Sequence, residues 1–295
     1  MTALDISESG SVAFDPAPEV AATAAAPARD FSWRRFAVRI GRGVLSAAIT
    51  LAVVIGAWLL FLKAFHVSSF IGKTPLDVWR YTFSSSQAAS NRTALLNESG
   101  TTLRDAFLGL GAGTVAAVLC AISFNLWQSA ASAFMPMAMV LRSVPLVAMT
   151  PLIVGIFGRN LKAITIIAGI VTFFPTLVNV TLALKRTPRE SIDLCRAYGA
   201  SPAGTLWRVQ IPSALPALFA SLRIAAPLSL VGALLAEWLA TGQGLGYKML
   251  DAMAVSDYSG LWARVVLVTL YSALMYQLIG IVERHVLARF GSVAR

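Results

Sequence analysis

DLCRAYGASPAGTLWRVQIPSALP, residues Asp193 to Pro216, is a polar stretch punctuated by glycine and proline and set between two long apolar runs. Before it, Ala163 to Leu184 carries no charge, and the run that overlaps its end, Ala214 to Trp238, carries only Arg223 and Glu237. A return to soluble chemistry between two such runs marks a loop at a membrane surface.

The loop has its own signals. Thr187-Pro188-Arg189-Glu190 has the form of a capping box with proline at the first helical position, which predicts a helix start. Ala197-Tyr198 is followed by Gly199, the residue best suited to a left-handed helix end. Ser201-Pro202 offers a second cap, and Leu206, Trp207, Val209 and Ile211 lead to Pro212. Two short helices joined at a glycine corner make a rigid knob, which suits docking of a soluble partner. The competing reading is an ordered surface loop in which Arg189, Asp193 and Arg196 make intrahelical charge pairs.

Composition places the rest of the chain in a bilayer. Of 295 residues 57% are hydrophobic, 13% are charged, and mean hydropathy is +0.72; a soluble domain carries about 25% charged residues. The net charge of +10 is scattered at the ends of apolar runs, without the aromatic interleaving of a nucleic-acid surface. Cys120 and Cys195 form neither a disulfide framework nor a metal spacing. Residues 1–30, rich in Ala, Pro, Ser and acid, lack the apolar core of a signal peptide and are expected to be a disordered tail.

Six stretches are long enough to cross the roughly 30 Å of hydrocarbon. Gly43 to Leu62, Ala106 to Phe124, Ala163 to Leu184 and Val265 to Val282 are free of charge; Ala133 to Phe157 holds Arg142, and Ala214 to Trp238 is the sixth. The first span is flanked by Arg34, Arg35, Arg39 and Arg42 on one side and Lys63 on the other, which puts the N-terminus in the cytoplasm. With six spans the C-terminus and the quoted loop face the same side. Uniformly apolar runs exclude a barrel. The predicted fold is an all-α membrane protein: a tail at 1–30, then a transmembrane domain at 31–295 whose coupling loop, 187–213, lies between spans four and five.

The loop resembles the "EAA" motif of permeases of binding-protein-dependent ABC importers, in which Glu-Ala-Ala is followed after three residues by Gly and after nine more by Ile-x-Leu-Pro. Here Asp193-Leu194-Cys195 stands in the first place, Gly199 in the second and Val209-Gln210-Ile211-Pro212 in the third. Thr102-Leu103-Arg104, Arg142-Ser143-Val144-Pro145, Ala236-Glu237 and Gly244-Leu245-Gly246-Tyr247 look like the branch importing nitrate, taurine, alkanesulfonates and pyrimidine vitamin precursors, over roughly residues 70–290. The resemblance implies a pair of permease chains in a bacterial plasma membrane, two ATPase subunits gripping the knobs, and an extracytoplasmic binding protein. ATP and magnesium would belong to the ATPase, with no cofactor or catalytic residue here. The coupling residues so implied are Glu190, Asp193, Arg196, Gly199, Ala200, Ser201, Pro202, Leu206, Trp207 and Pro212, with Asp193 facing a basic group of the ATPase.

Other features are weaker. IGKT at Ile71 to Thr74 lacks the earlier glycine of a phosphate loop, because Val67 occupies that place. GQGLG at Gly242 to Gly246 follows an apolar run rather than a strand and reads as a tight turn. Asn91-Arg92-Thr93 and Asn97-Glu98-Ser99 read as polar loop residues. A charge deep in a span costs roughly 2.5 to 3.5 kcal/mol on insertion scales. Arg142 is therefore expected inside the bundle or along a pathway, Arg223 either snorkelling or in an ion pair, and Glu237 in the pathway or at the outer interface. Pro145, Pro151 and Pro175 break helical hydrogen bonds within spans and, with Arg142 and Glu237, are the candidate pathway residues. No span pairs a serine with a histidine or catalytic carboxylate, which argues against a membrane enzyme. No internal repeat is evident, which argues against a secondary transporter. The expected cargo is a small organic anion; a neutral pyrimidine is the alternative.

Overall fold

A computed structural model describes residues 33–290; the expected tail, 1–30, lies outside the described residues. The chain divides into two units at Gly56. The first contributes the front of α1 (Trp33–Ala64), whose Leu45–Ala64 stretch has a mean hydropathy of 2.4. The second holds the end of α1 and the remaining helices. These are α2 (Pro75–Trp79), α3 (Ala88–Leu126), α4 (Gln128–Arg142), α5 (Leu146–Phe157), α6 (Leu161–Lys185), α7 (Arg189–Ala197), α8 (Pro202–Thr205), α9 (Ile211–Ala236), α10 (Gly244–Ala254) and α11 (Tyr258–Phe290). No strand occurs among the described residues.

Five helical stretches are long and apolar enough to cross a membrane, and a sixth crossing exists if α4 and α5 count as one. The single span expected over Ala133–Phe157 is broken: α4 and α5 meet at 104°. Proline has no N–H, and its ring pushes the preceding residue out of the α region. Pro145 itself, the cap residue of α5, sits in extended backbone at φ −59°, ψ 123°. The 12 residues of α5 reach about 18 Å at 1.5 Å per residue, well short of the hydrocarbon thickness.

The core is α3, α6 and α9 packed on one another, with α11 against α9. Its contacts are made by small residues: Ala106, Ala117, Ala168, Ala225, Ala226 and Ala233 are fully buried. Lipid tails are as apolar as leucine, so helix association in a bilayer rests on close backbone approach rather than on hydrophobic transfer. Gly109 and Gly113 of α3 lie against Ala168, Gly169 and Thr172 of α6. The Thr172 hydroxyl, 2.9 Å from the Gly169 carbonyl and 3.3 Å from that of Gly109, satisfies itself inside this seam. Large apolar side chains such as Val115 and Leu119 point outward from the same helix.

Ion pairs tie the periphery. Arg264 donates two 2.8 Å bonds to Glu98, joining α11 to α3. Arg223 meets Glu283 at 2.6 Å, so of its two expected states the interhelical pair is the one formed. The sequons lie in helix α3 rather than in a loop, and Asn91 Nδ2 donates to the Tyr81 carbonyl at 2.9 Å. IGKT ends in a helix cap: the Thr74 N–H donates to the Asp77 carboxylate at 2.9 Å, and Thr74 Oγ1 accepts from the Asp77 N–H. The bonds from the Thr74 backbone, then its side chain, hold the Asp77 carboxyl below the usual range.

Candidate functional site

The knob forms between α6 and α9. Its first helix, α7, begins at Arg189 with Pro188 as the cap residue, so the capping box expected from Thr187 to Glu190 is not made. The Thr187 hydroxyl instead donates to the Leu184 carbonyl at 3.1 Å, finishing α6. The glycine corner is as read. Gly199 has φ +77°, its N–H donates to the Arg196 carbonyl at 2.9 Å, and the Ala200 N–H donates to the Cys195 carbonyl at 2.9 Å. This pair of bonds is a Schellman motif. Ser201 then caps α8, its Oγ accepting from the Gly204 N–H at 3.1 Å, with Pro202 in the first turn.

The second half differs from the expectation of a separate short helix stopping at Pro212. From Pro202 to Thr241 the chain is helical throughout. A π-helical turn at Leu206–Gln210 precedes Pro212, which sits in the first turn of α9. A proline ring crowds the carbonyl four residues before it, and the widened turn makes the room. The knob is thus a free helix, α7, hinged at Gly199 to the leading end of a core helix.

Exposure separates contact from anchor. No residue of α7 is buried. Leu194, Tyr198 and Trp207 are 60%, 85% and 65% exposed. Glu190, Asp193, Arg196 and Pro202 are exposed as well, and Ala200 and Pro212 are half-buried. Asp193 and Arg196 approach to 3.7 Å in solvent, a pairing that contributes little. Leu206 is 1% exposed and packs with Leu177 and Leu184; its place is in the core, and it presents nothing to a partner. Asn125, at the end of α3, donates to Gln210 Oε1 at 2.9 Å. Leu194, Tyr198 and Asn125 are not among the coupling residues that the resemblance implies. In a chain rich in apolar residues their identities alone do not distinguish them from lipid-facing or structural ones.

The α4–α5 elbow makes a second feature. Arg142, Ser143, Pro145 and Leu146 form one side of a cavity of about 370 Å³, and Phe174 and Pro175 of α6 form another. Three of the five pathway candidates therefore meet. Pro151 is exposed on α5, outside the cavity lining.

Glu237 is elsewhere and fully buried. Its Oε2 accepts from the Gly246 N–H at 2.7 Å, and Thr102 Oγ1 accepts from the Leu245 N–H at 2.8 Å. A carboxylate at the N-terminus of α10 satisfies amides that helix geometry leaves open and complements the helix dipole. Gly244 has φ +85° and a Cβ there would run into that carboxylate, and a Cβ on Gly246 would lie 2.8 Å from the Leu234 carbonyl oxygen. The turn read at GQGLG is therefore where a buried glutamate meets a helix start. Among the described residues no three His, Cys, Asp or Glu side chains gather as metal ligands.

Residues 109–290 match the family model described as binding-protein-dependent transport system inner membrane component. The chain is 27% identical over 201 residues to a probable ABC transporter permease protein of Haemophilus influenzae, covering 66% of this chain and 82% of that one. It is 30% identical over 167 residues to the formylaminopyrimidine transport permease protein ThiX of Halalkalibacterium halodurans, covering 57% and 67%. The solved structure of the MetNI methionine ABC transporter in inward-facing conformations shares the fold, with a TM-score of 0.56 at 19% identity over 66% of this chain and 97% of that one. An all-helical bundle with this knob, matched over more than half its length, belongs to the binding-protein-dependent transport system inner membrane components: it is a permease subunit of an ABC importer and not itself an enzyme.

Proposed function

We propose that loop 187–213 is the seat of an ABC ATPase on the cytoplasmic face, with both termini on that side. A second copy of the permease completes the pathway, and a solute-binding protein delivers cargo at the opposite face. The observation that carries this reading is the division of labour in the knob. Leu194, Tyr198 and Trp207 stand out in solvent on a corner locked by Gly199 and Ser201, while Leu206 roots the corner in the core. Large exposed aromatics on a rigid support are what a binding hot spot requires. Force applied to α7 passes through the corner to α9 and biases a two-state bundle.

The double variant Tyr198→Ala/Trp207→Ala tests the seat. Co-purified with its ATPase, it is expected to retain the partner at least about thirtyfold less well than the parent, since truncating two hot-spot aromatics at 1 kcal/mol or more each costs about 2 kcal/mol or more. Unchanged retention overturns the assignment.

For cargo, the Arg142 guanidinium at the elbow cavity favours a small organic anion such as an alkanesulfonate, taurine or nitrate. A neutral pyrimidine is the second reading, favoured by the likeness to a formylaminopyrimidine permease. Arg142 is exposed. Arg142→Ala should therefore leave the protein folded and, in proteoliposomes, lower uptake of an alkanesulfonate by roughly tenfold, the factor of one charge-assisted hydrogen bond. Equal uptake by parent and variant removes the anion reading.

A further inference from the structure

Between α1 and α3 the chain lies outside the spans, and the helix there, Pro75–Trp79 continued by a π-helical turn at Arg80–Ser84, has two unlike faces. The inner face is tied to the bundle. Val78, Tyr81 and Thr82 are half-buried, the Tyr81 hydroxyl donates to Asp257 at 3.3 Å, and Arg92 Nη1 donates to the Thr82 carbonyl at 3.1 Å. Leu76, Trp79 and Phe83 fall at i, i+3 and i+7 on the opposite face, and each is more than half exposed. The Trp79 and Phe83 rings lie 4.4 Å apart. Arg80, four residues after Leu76, shares that face and is exposed too. Within a span such a face meets lipid; a helix in water turns its apolar stripe inward.

The height of this helix is set by its neighbours. Trp262 Nε1 donates to the Ile71 carbonyl at 2.9 Å, the Trp262 ring stacks on Trp58 at 5.0 Å, and Phe70 meets Tyr258 edge-on at 5.2 Å. Trp262 lies three residues, about 5 Å along a helix, before the charge-free run that starts at Val265. Trp58 lies in the last turns of the run that ends at Leu62. The segment is thus held where two crossings end, the level at which aromatic rings gather in membrane proteins. Residues 63–92 carry Lys63, Lys73, Arg80 and Arg92 against Asp77 alone, an excess of cations that suits lipid phosphate. Because α3 ends beside the knob, where Asn125 meets Gln210, its first turn and this segment stand at the opposite end.

We propose that the helix at 75–84 lies in the headgroup region of the leaflet opposite the knob, with Leu76, Trp79 and Phe83 at the acyl boundary and Arg80 reaching a phospholipid phosphate. It anchors the connection between α1 and α3 to the bilayer and so fixes the depth of the α3 and α11 ends that it grips. The anchor depends on the spans alone and is independent of what docks at the knob.

The test uses the full chain in liposomes of phosphatidylethanolamine and phosphatidylglycerol. With Cys120→Ala and Cys195→Ala as background, a nitroxide is attached in turn at Leu76→Cys, Phe83→Cys and, as the aqueous reference, Tyr198→Cys. All three positions are exposed, so the label leaves the core packed. Spin relaxation compares collisions with oxygen, which concentrates in hydrocarbon, against those with a water-soluble nickel chelate. Nickel is expected to dominate at Tyr198, and the ratio to invert at Leu76 and Phe83. Arg80→Glu should lower the oxygen-to-nickel ratio at Phe83, and an unchanged ratio removes the phosphate contact. Nickel dominating at both Leu76 and Phe83 overturns the anchor; closure to both reagents only after the importer's solute-binding protein is added gives the face to that protein. Dipolar broadening between like labels, with both reagents shut out from the start, gives it to a second copy and is equally fatal. ATPase retention does not enter the readout, so failure here leaves the docking assignment standing, and the reverse holds.

Discussion

Gly199→Val is expected to reduce substrate-stimulated ATP hydrolysis in the assembled importer to its unstimulated rate. At φ +77° the glycine occupies the left-handed region, and a Cβ there would meet no neighbour within 4 Å. The penalty is thus backbone strain alone, about 1–3 kcal/mol for a residue that avoids this region, and β-branching puts valine at the upper end. The chain can relieve it only by opening the corner, which loses the bonds from Gly199 to Arg196 and from Ala200 to Cys195. α7 buries nothing, so the bundle has no reason to unfold and the permease should still insert and purify. What changes is the direction in which α7 leaves α9, and with it the lever. Gly199→Asn supplies the control, because asparagine tolerates the left-handed region. The expected order of coupling is Gly, then Asn, then Val, read as ATPase rate with and without loaded binding protein. Coupling indifferent to that order would mean that the corner transmits nothing.

The corner was legible because its signals are local. Gly199, Ser201 and Pro202 each act on their own backbone, and the structure uses each as read. The apolar runs were legible for a similar reason, since lipid imposes one length and one composition on every crossing. Reading failed where one residue had two competing uses. Thr187 could cap α7 or finish α6, and the buried end of α6 took its hydroxyl. Pro212 could end a helix or sit in the first turn of the next, and a π-helical turn settled it. The break at Pro145 was visible as a proline, but its 104° consequence depends on what α5 packs against. Glu237 shows the larger gap. Composition marks it as a costly charge, yet only the fold brings the amides of Leu245 and Gly246 to that place. Lipid-facing and partner-facing apolar residues carry the same chemistry, so Tyr198 could not be told from a bilayer residue until α7 was seen standing clear of the core.

Gly109→Val is expected to abolish recovery of folded protein, and Gly111→Val, two residues away, to leave it unchanged. Both glycines lie in α3. A Cβ on Gly109 would run into the Ala168 Cβ and come within 2.9 Å of the Ala168 carbonyl carbon, which is backbone and cannot rotate away. α3 would have to withdraw from α6 along the seam that Gly113, Gly169 and Thr172 also form, and the Thr172 hydroxyl would lose its place between the two helices. Helix propensity acts in the opposite direction, since replacing a mid-helix glycine gains up to about 1 kcal/mol. Overpacking a tight contact costs typically 1–3 kcal/mol and more where backbone must move, so the clash wins. In a bilayer no hydrophobic transfer term offsets it, because the separated helices are as well solvated by lipid as by each other. At Gly111 a Cβ meets nothing within 4 Å, so only the propensity term remains. The measurement is the monodisperse fraction after detergent extraction together with the thermal midpoint. Comparable recovery of the two variants would show that α3 and α6 are not held by the close approach of their backbones, and the core described here would have to be redrawn.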